Sequence, residues 1–290
     1  HTRDRRQRQM CIRDRFNIAI KGNFDDCQNL VKSMFADKKF SNDIKMSGVN
    51  SINWARIIAQ SVYYFYSYLS VEDASEPTNF SVPTGNFGDV YAGYLAKKMG
   101  LPIDKLIVAT NQNDILHRAI SKGSYEAEKV SETISPSMDI QIASNFERLI
   151  FDLNNGDDQQ TSLDMKNIKE KGQYLINDDK LNKISENFLS ARMSEDETLE
   201  VIKNVYEKFA VVLDPHTAIG YGAFDKHNLK GNNIVLATAH PCKFPDAIKS
   251  AINVKAELPN ELTFILDQKE NYDIVENDIE KVKQHIKDRT

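Results

Sequence analysis

A strand, a glycine-containing turn and a helix follow one another directly between residues 80 and 100, and this junction has the clearest chemical potential in the chain. Residues 80–82 favour a short strand, and Gly85 and Gly88 permit the backbone to approach a ligand closely. From Asp89 onward, apolar residues recur at helical spacing. The free N–H groups of a first helical turn, together with the helix dipole, attract anions. The junction therefore predicts a phosphate-binding turn.

The residues Gly85-Asn-Phe-Gly-Asp89 distinguish this turn from the common nucleotide loops. They match neither the G-x-G-x-x-G pattern of dinucleotide sites nor the G-x-x-x-x-G-K-[ST] loop of nucleoside triphosphate sites, so both ligands are disfavoured. A tight connection between strand and helix without any ligand is the alternative for such a turn. The segment resembles instead the phosphate loop of the threonine synthase family, whose motif reads Pro-Ser/Thr-Gly-Asn-Phe-Gly-Asp.

Further segments resemble the same family in the same order along the chain. They lie at residues 22–31, 50–56, 109–114, 214–218 and 237–244. The resemblance spans residues 16 to about 255. It implies a pyridoxal-phosphate enzyme of the tryptophan-synthase-β-like fold that converts O-phospho-L-homoserine and water to L-threonine and phosphate. Two carbanions must be stabilised on that route, which explains the need for this coenzyme.

The resemblance also implies which residues bind the coenzyme. Backbone N–H groups of the turn would bind the phosphate, and Thr238 would partner the pyridine nitrogen. The residues placed around the coenzyme are Gly85, Asn86, Phe87, Gly88, Asp89 and Thr238. We expect Asp89 to cap the helix rather than contact the phosphate, because adjacent negative charges repel. Without the resemblance, Thr238 would be interpreted as a β-branched strand residue whose hydroxyl forms a hydrogen bond with a nearby backbone group.

Asn53 and Arg56 lie three residues apart at the start of a helix predicted over residues 52–69. This helix is apolar on almost every side, which predicts deep burial. A guanidinium facing a cleft would suit the phosphate of the substrate, and the alternative is an arginine that neutralises a buried carboxylate.

Three other side chains could bind a metal by residue type alone. The spacing of His216, His240 and Cys242 matches no common zinc pattern, so structural or pocket-lining roles are favoured and no metal is expected.

The family's Schiff-base lysine is expected upstream of the strand that begins at Phe16. No lysine of this chain lies in a matching context, so we assign no catalytic residue and expect the chain as given to be inactive. A threonine or serine dehydratase would share the fold without a pocket for a substrate phosphate. A non-catalytic module that retains the phosphate-binding turn is a further alternative.

Composition restricts the class of protein. The 290 residues are 41% apolar and 27% charged with a net charge of −5, which disfavours a nucleic-acid partner. No apolar run reaches membrane-spanning length. Three cysteines without a C-x-x-C pair favour a reducing cytoplasm over a disulfide framework. The sequence does not indicate an oligomeric state.

Alternating strand and helix patterns predict an α/β fold, with a mostly parallel sheet covered by helices on both faces. We expect residues 1–15 to be a non-native or disordered segment and residues 16–50 to be the remnant of a small α/β domain. Residues 51–290 are assigned to the large coenzyme-binding domain of fold type II. Within it, the charged stretch 154–195 is expected to be a helical, solvated insertion or lid.

Overall fold

A computed structural model describes residues 16–22, 24–49, 51, 53–265 and 272–289. It divides the chain into two compact units. The small unit combines the residues up to Gly48 with those from Pro259, and the large unit comprises Val49–Leu258. The segment expected to be non-native, residues 1–15, lies outside the described residues.

The secondary-structure elements are numbered in chain order. The strands are β1 (Ile18–Lys21), β2 (Thr78–Pro83), β3 (Ile103–Thr110), β4 (Ser124–Glu126), β5 (Gln173–Leu175), β6 (Phe188–Arg192), β7 (Asn232–Val235) and β8 (Asp273–Glu276). The helices are α1 (Phe24–Ala36), α2 (Lys38–Asp43), α3 (Trp54–Tyr68), α4 (Gly88–Lys98), α5 (Ile115–Lys122), α6 (Phe146–Leu153), α7 (Asp158–Lys171), α8 (Asp178–Asn187), α9 (Glu195–Phe209), α10 (Pro215–Asp225), α11 (Pro245–Ile252) and α12 (Ile279–Lys287).

The large unit is built on a parallel sheet with the strand order β6-β3-β2-β7. Successive residues of β3 point to opposite faces, so Leu106 and Val108 pack in one apolar cluster, while Ile107 and Ala109 pack in another. The first cluster includes residues of α4, α5 and α6, and the second includes Ile219 of α10. A parallel sheet buried on both faces is the expected α/β architecture, which confirms the predicted fold class.

The small unit contains a two-stranded parallel sheet, in which β1 pairs with β8. Leu30, Met34 and Phe40 form its core together with Val282 of α12. The structure thus groups the described residues from Pro259 onward with the described amino-terminal residues, whereas the sequence analysis assigned residues 51–290 to the large domain. Strand pairing across more than 250 residues leaves no local signal from which it could be predicted.

The stretch 154–195 also differs from the expectation of a solvated insertion. Its last strand, β6, is an edge strand of the main sheet and pairs with β3 from Leu106↔Phe188 to Thr110↔Arg192. Phe188 is buried, so this strand belongs to the core. The preceding β5 pairs with β4 in an antiparallel ladder. A five-residue strand between two charged helices is too short to stand out from its polar surroundings.

Helix α3 is not deeply buried, contrary to the prediction. Within the described structure only Ile57, Ser61 and Tyr64 of this helix are buried. Its other face exposes large apolar side chains, including Tyr66 at 74%. Apolar residues all round a helix therefore do not guarantee burial within one chain.

Short sequence patterns that predict helix starts are confirmed in one case and wrong in another. The capping box between Ser194 and Glu197 is present at the start of α9. The same Ser-x-x-Glu spacing at Ser144 and Glu147 also predicts a capping box, but that prediction is wrong, because α6 begins after Asn145 without a side-chain cap. Cys27 and Cys242 are free thiols, while Cys11 lies outside the described residues. No described helix has both the length and the apolar character needed to cross a membrane.

Candidate functional site

The turn between β2 and α4 is held by an aromatic anchor. Phe87, immediately before α4, has the left-handed backbone angle φ 64°. Its ring is fully buried, with centroids 5.3 Å from Phe146 and 5.8 Å from Phe188. Thr84 Oγ1 accepts a hydrogen bond of 3.1 Å from the Phe87 N–H. Phe87 thus contributes conformation and packing to the turn, and its own N–H is already satisfied.

Backbone donors around this anchor have no partner. In the described part of the chain, the N–H groups of this turn that make no hydrogen bond are those of Gly85, Asn86, Gly88, Asp89 and Val90. Three of these belong to the first turn of α4, where N–H groups have no intrahelical acceptor and the helix dipole is positive. The turn therefore presents a cluster of donors suited to an anion. We call residues 84–90 the cradle.

The glycines at both ends of this turn are closely surrounded. A Cβ at Gly85 would lie 3.0 Å from the Ser137 carbonyl oxygen and 3.1 Å from Met138 Cα, within the 3-10 turn Pro136–Met138. A Cβ at Gly88 would lie 3.1 Å from Ser51 Cβ and 3.2 Å from Ile57 Cδ1. A side chain at Gly85 would require the neighbouring backbone to shift slightly, and one at Gly88 would require the side chains of Ser51 and Ile57 to move.

Asn86 carries a polar atom that the protein leaves unsatisfied. Its carbonyl oxygen accepts a bond of 3.1 Å from the Asn145 N–H. Its side-chain Oδ1 is buried and has no hydrogen-bond partner among the described residues. Buried amide oxygens almost always have a donor, so this atom indicates a place where a ligand donor could bind.

Asp89 does not cap α4, which corrects the expectation from the sequence. The helix has no side-chain cap. Instead, Tyr64 donates its hydroxyl proton to the Asp89 carbonyl at 2.8 Å and to its carboxylate Oδ1 at 3.3 Å. Burial raises the pKa of the Asp89 carboxyl from 3.8 to about 6, and the Tyr64 hydrogen bond partly opposes that rise. The carboxyl is thus partly protonated near pH 6.

Thr238 lies at the same edge of the sheet as the cradle. Strands β2 and β7 are parallel with Ser81 opposite Val235, and the ladder continues with a bond of 3.0 Å from Leu236 N to Ser81 O. Extending this register places Thr238 beside Thr84, just past the carboxyl ends of both strands, where open α/β sheets bind ligands. Thr238 is exposed, and its N–H donates to Thr217 Oγ1 at 3.4 Å.

Comparison with known proteins points to one family. The model of the family described as "Threonine synthase, C-terminal" matches residues 217–286. The threonine synthase of Pseudomonas aeruginosa is 43% identical over 97% of this chain and 61% of its own length. That of Saccharomyces cerevisiae is 43% identical over 93% of this chain and 58% of its own length. Over almost its whole length, this chain is similar to threonine synthases.

A solved structure agrees with this assignment. The crystal structure of PLP-bound threonine synthase from Brucella melitensis superimposes with a TM-score of 0.87 at 46% identity, covering 94% of this chain and 59% of that one. The chain thus spans about three fifths of the length of the threonine synthases that it matches.

In this chain, Asn53 and Arg56 lie at the start of α3. Asn53 is the N-cap, and its side chain accepts a bond of 2.9 Å from the Ala55 N–H. Arg56 is exposed, and its neighbour Ile57 is the residue that approaches Gly88. The start of α3 therefore lies against the start of α4. Among the described residues, no carboxylate forms an ion pair with Arg56.

The histidines and the cysteine considered as metal ligands have separate surroundings. His216 is buried and bonded to Asp214, whereas His240 accepts a bond of 3.3 Å from the Cys242 N–H at an exposed 3-10 turn. The described residues contain no group of three or more His, Cys, Asp or Glu side chains arranged to hold a metal. The pair Asp214-Pro215 is typical of a helix start, and Asp214 is the N-cap of α10, but the sequence pattern does not predict its contacts with His216 and Thr217.

Proposed function

We propose that this chain supplies the pyridoxal-phosphate-binding part of an enzyme that converts O-phospho-L-homoserine and water to L-threonine and phosphate. One observation carries the proposal: unengaged N–H donors at the start of α4 lie at the same sheet edge as Thr238. Its relatives are named threonine synthases, and the Brucella melitensis enzyme is described as PLP-bound. This similarity along the chain favours a threonine synthase over the dehydratase and over a non-catalytic module.

The residues present fit the coenzyme. Cradle N–H groups would bind its phosphate, as positively polarised donors do at helix starts. The buried Asn86 Oδ1 requires a hydrogen-bond donor, which a ring hydroxyl provides and a phosphate dianion does not. The site thus offers N–H donors for the phosphate of the coenzyme and an acceptor, Asn86 Oδ1, for its ring hydroxyl.

Thr238 would contact the pyridine nitrogen. Its hydroxyl is neutral and can donate to an unprotonated ring nitrogen, whereas an aspartate would favour a protonated one. When bound, pyridoxal phosphate supplies an electron sink that stabilises carbanions of the substrate. With a hydroxyl as its partner, the pyridine ring would therefore withdraw electrons less strongly than it would with a carboxylate partner.

Asp89 would limit charge repulsion at the phosphate. Burial raises the pKa of this carboxyl to about 6, and Tyr64 holds it by a hydrogen bond rather than leaving it free to rotate. Less negative charge is then present on the first turn of α4 than for an ordinary aspartate. The exposed Arg56 and the N-cap Asn53 are proposed to bind the phosphate of the substrate, since a guanidinium matches phosphate oxygens in pairs.

No residue of this chain is assigned the role of the Schiff-base lysine, so we expect no turnover by the 290-residue chain alone. Threonine formation from O-phospho-L-homoserine by the purified chain would contradict this expectation. The same is true of a visible absorption band with added coenzyme that disappears when one lysine of the chain is replaced. We further propose a cytoplasmic location, where the free thiols Cys27 and Cys242 would stay reduced.

Binding of the coenzyme tests the proposal directly. The purified chain is titrated with pyridoxal 5'-phosphate, with pyridoxal and with inorganic phosphate, and bound ligand is measured by equilibrium dialysis. We expect pyridoxal 5'-phosphate to bind much more tightly than pyridoxal and to be displaced by inorganic phosphate. Equal affinity for pyridoxal and its phosphate ester would show that the cradle is not an anion site.

A further inference from the structure

A buried carboxylate connects the two halves of the candidate site. Asp214 precedes α10 as its N-cap and is 1% exposed. Its Oδ1 accepts bonds from the His216 N–H at 2.9 Å and from the ring Nδ1 of His216 at 3.0 Å. Its other oxygen, Oδ2, accepts from the Thr217 hydroxyl. One carboxylate therefore fixes two neighbouring side chains that point to different places.

The His216 side chain leads to the cradle. Its Nε2 accepts a bond of 3.3 Å from the Ser137 N–H, so this nitrogen carries no proton and Nδ1 is the donor to Asp214. Ser137 lies in the 3-10 turn that covers Gly85, with its carbonyl oxygen at the position nearest to a Cβ there. Phe244 packs against the His216 ring at 4.8 Å and limits its rotation. We call Asp214, His216 and Ser137 the phosphate-side arm.

The Thr217 side chain leads to the opposite end. Its hydroxyl donates to Asp214 and, through its oxygen, accepts the Thr238 N–H at 3.4 Å. Among the described residues, this bond to Thr217 is the hydrogen bond found for Thr238, which is exposed to solvent. Asp214, Thr217 and Thr238 form the ring-side arm.

We propose that Asp214 is a positioning residue that sets the spacing between the phosphate-binding cradle and Thr238, through His216 on one side and Thr217 on the other. This inference rests on the proposed function, because it assigns the two arms to the two ends of pyridoxal phosphate. Asp214 would act by holding the residues around the coenzyme in place, and not by contacting the coenzyme itself.

The chemistry of the group explains why an aspartate occupies this position. Its two oxygens accept three N–H groups and one hydroxyl, which exceeds what the single oxygen of an asparagine accepts. Burial alone would raise the pKa of Asp214, but the hydrogen bonds from His216 and Thr217 outweigh it and lower the pKa below its usual value. The carboxylate thus remains ionised and both arms remain satisfied.

The arms can be separated by substitution in the 290-residue chain. His216→Phe keeps an aromatic ring against Phe244 but removes both ring nitrogens. Thr217→Val keeps the shape and removes the hydroxyl, and Asp214→Asn weakens both arms. Asp157→Asn is the matched control, since Asp157 caps α7 by accepting the Gln160 N–H at 2.9 Å and belongs to neither arm.

Affinities for inorganic phosphate, pyridoxal and pyridoxal 5'-phosphate are then compared. We expect His216→Phe to weaken phosphate and pyridoxal 5'-phosphate about tenfold and to leave pyridoxal unchanged. Thr217→Val should weaken pyridoxal and pyridoxal 5'-phosphate about threefold and leave inorganic phosphate unchanged. Asp214→Asn should weaken all three, and Asp157→Asn none. These factors correspond to the loss of about one hydrogen bond at each arm.

Two measurements on the unsubstituted chain, made without any ligand, keep the inference testable even where a variant fails to fold. Nitrogen NMR should show His216 with its proton on Nδ1. Hydrogen exchange should show the Ser137 and Thr238 amides exchanging more slowly than other amides in exposed turns. A proton on Nε2 would overturn the phosphate-side arm.

The binding results also separate this inference from the proposed function. If the unsubstituted chain binds none of the three ligands, the proposed function is wrong and this inference falls with it. If it binds pyridoxal 5'-phosphate while the Asp214, His216 and Thr217 variants lose affinity for all three ligands in one common proportion, or lose none, only the positioning role is wrong. A general loss of stability cannot produce opposite patterns in His216→Phe and Thr217→Val.

Discussion

The two ends of the candidate site lie on adjacent parallel strands but are held in different ways. At the cradle, Phe87 is fully buried between Phe146 and Phe188, and its backbone has the left-handed conformation. After β7, Thr238 is exposed and is held by a hydrogen bond of 3.4 Å to Thr217. One end is part of the apolar core, and the other depends on a polar network.

This difference has a consequence for ligand binding. A turn anchored by close packing loses little conformational entropy when the ligand arrives, whereas an exposed segment must be ordered at that moment. Charge-assisted bonds to a phosphate are also stronger than a neutral contact with a ring nitrogen. We therefore expect most of the affinity for pyridoxal phosphate to come from the cradle, and the following predictions test that contrast in order of expected effect.

Substitution of Phe87 should have the largest effect. Removing a fully buried phenylalanine costs about 3–5 kcal/mol of unfolding free energy. Since glycine adopts the left-handed conformation without strain, Phe87→Gly should be about 1 kcal/mol more stable than Phe87→Ala. At Phe146, the first residue of helix α6, the opposite order is expected, with Phe146→Ala more stable than Phe146→Gly. Urea denaturation of the four variants measures this, and Phe87→Gly less stable than Phe87→Ala would contradict the strained anchor.

The pH dependence of stability should reveal the buried Asp89. Its pKa is raised from 3.8 to about 6, so the folded state binds the proton more tightly than the unfolded state. The free energy of unfolding should therefore fall as the pH rises from about 4 to about 6. The decrease should be at most roughly 3 kcal/mol, because the positive end of the α4 dipole offsets part of the cost of burying the ionised carboxylate. Asp89→Asn should remove this component in denaturation curves between about pH 4 and pH 7. An unchanged pH profile in Asp89→Asn would assign the dependence to other groups.

The glycine of the cradle should affect affinity more than stability. Gly85→Ala places a Cβ 3.0 Å from the Ser137 carbonyl oxygen and displaces the turn that covers the cradle. We expect about tenfold weaker binding of pyridoxal 5'-phosphate, which equals about 1.4 kcal/mol.

Gly100 is the matched control for this substitution. It has φ 104°, and no described atom would lie within 4 Å of a Cβ added there, so Gly100→Ala should lower stability and leave affinity unchanged. If both variants affected only stability, the cradle would have no special relation to the ligand.

Substitution of Thr238 should have the smallest effect. Thr238→Val keeps the β-branched shape of an exposed residue, so stability should change by less than about 0.5 kcal/mol. Affinity for pyridoxal 5'-phosphate should fall by a few fold, and affinity for inorganic phosphate should not change, as judged by equilibrium dialysis. A larger loss than in Gly85→Ala would reverse the proposed contrast between the two ends.

Much of the main sheet could be predicted because its signals are local. The short apolar runs at residues 105–110 and 231–238 each predict a strand, and the structure has β3 (Ile103–Thr110) and the shorter β7 (Asn232–Val235) there. The glycine turn before α4 was also recognised in place. Strand β6 was missed, because its five residues acquire their core position only by pairing with β3. The exposed face of α3 was missed because periodicity shows which residues are apolar, not what covers them.

The sequence by itself determined the resemblance to threonine synthases, the α/β class and the glycine turn that leads into a helix, because each depends on residue types at short, fixed spacing. Only the tertiary structure decided that Phe87 anchors the cradle, that Asp89 bonds Tyr64 instead of capping α4, and that Asp214 joins the cradle to Thr238. These features depend on contacts between residues far apart in sequence. Examples are the hydrogen bond from Ser137 to His216 and the one from Thr238 to Thr217. Such partners are selected by the packing of the whole sheet, and no local pattern encodes them.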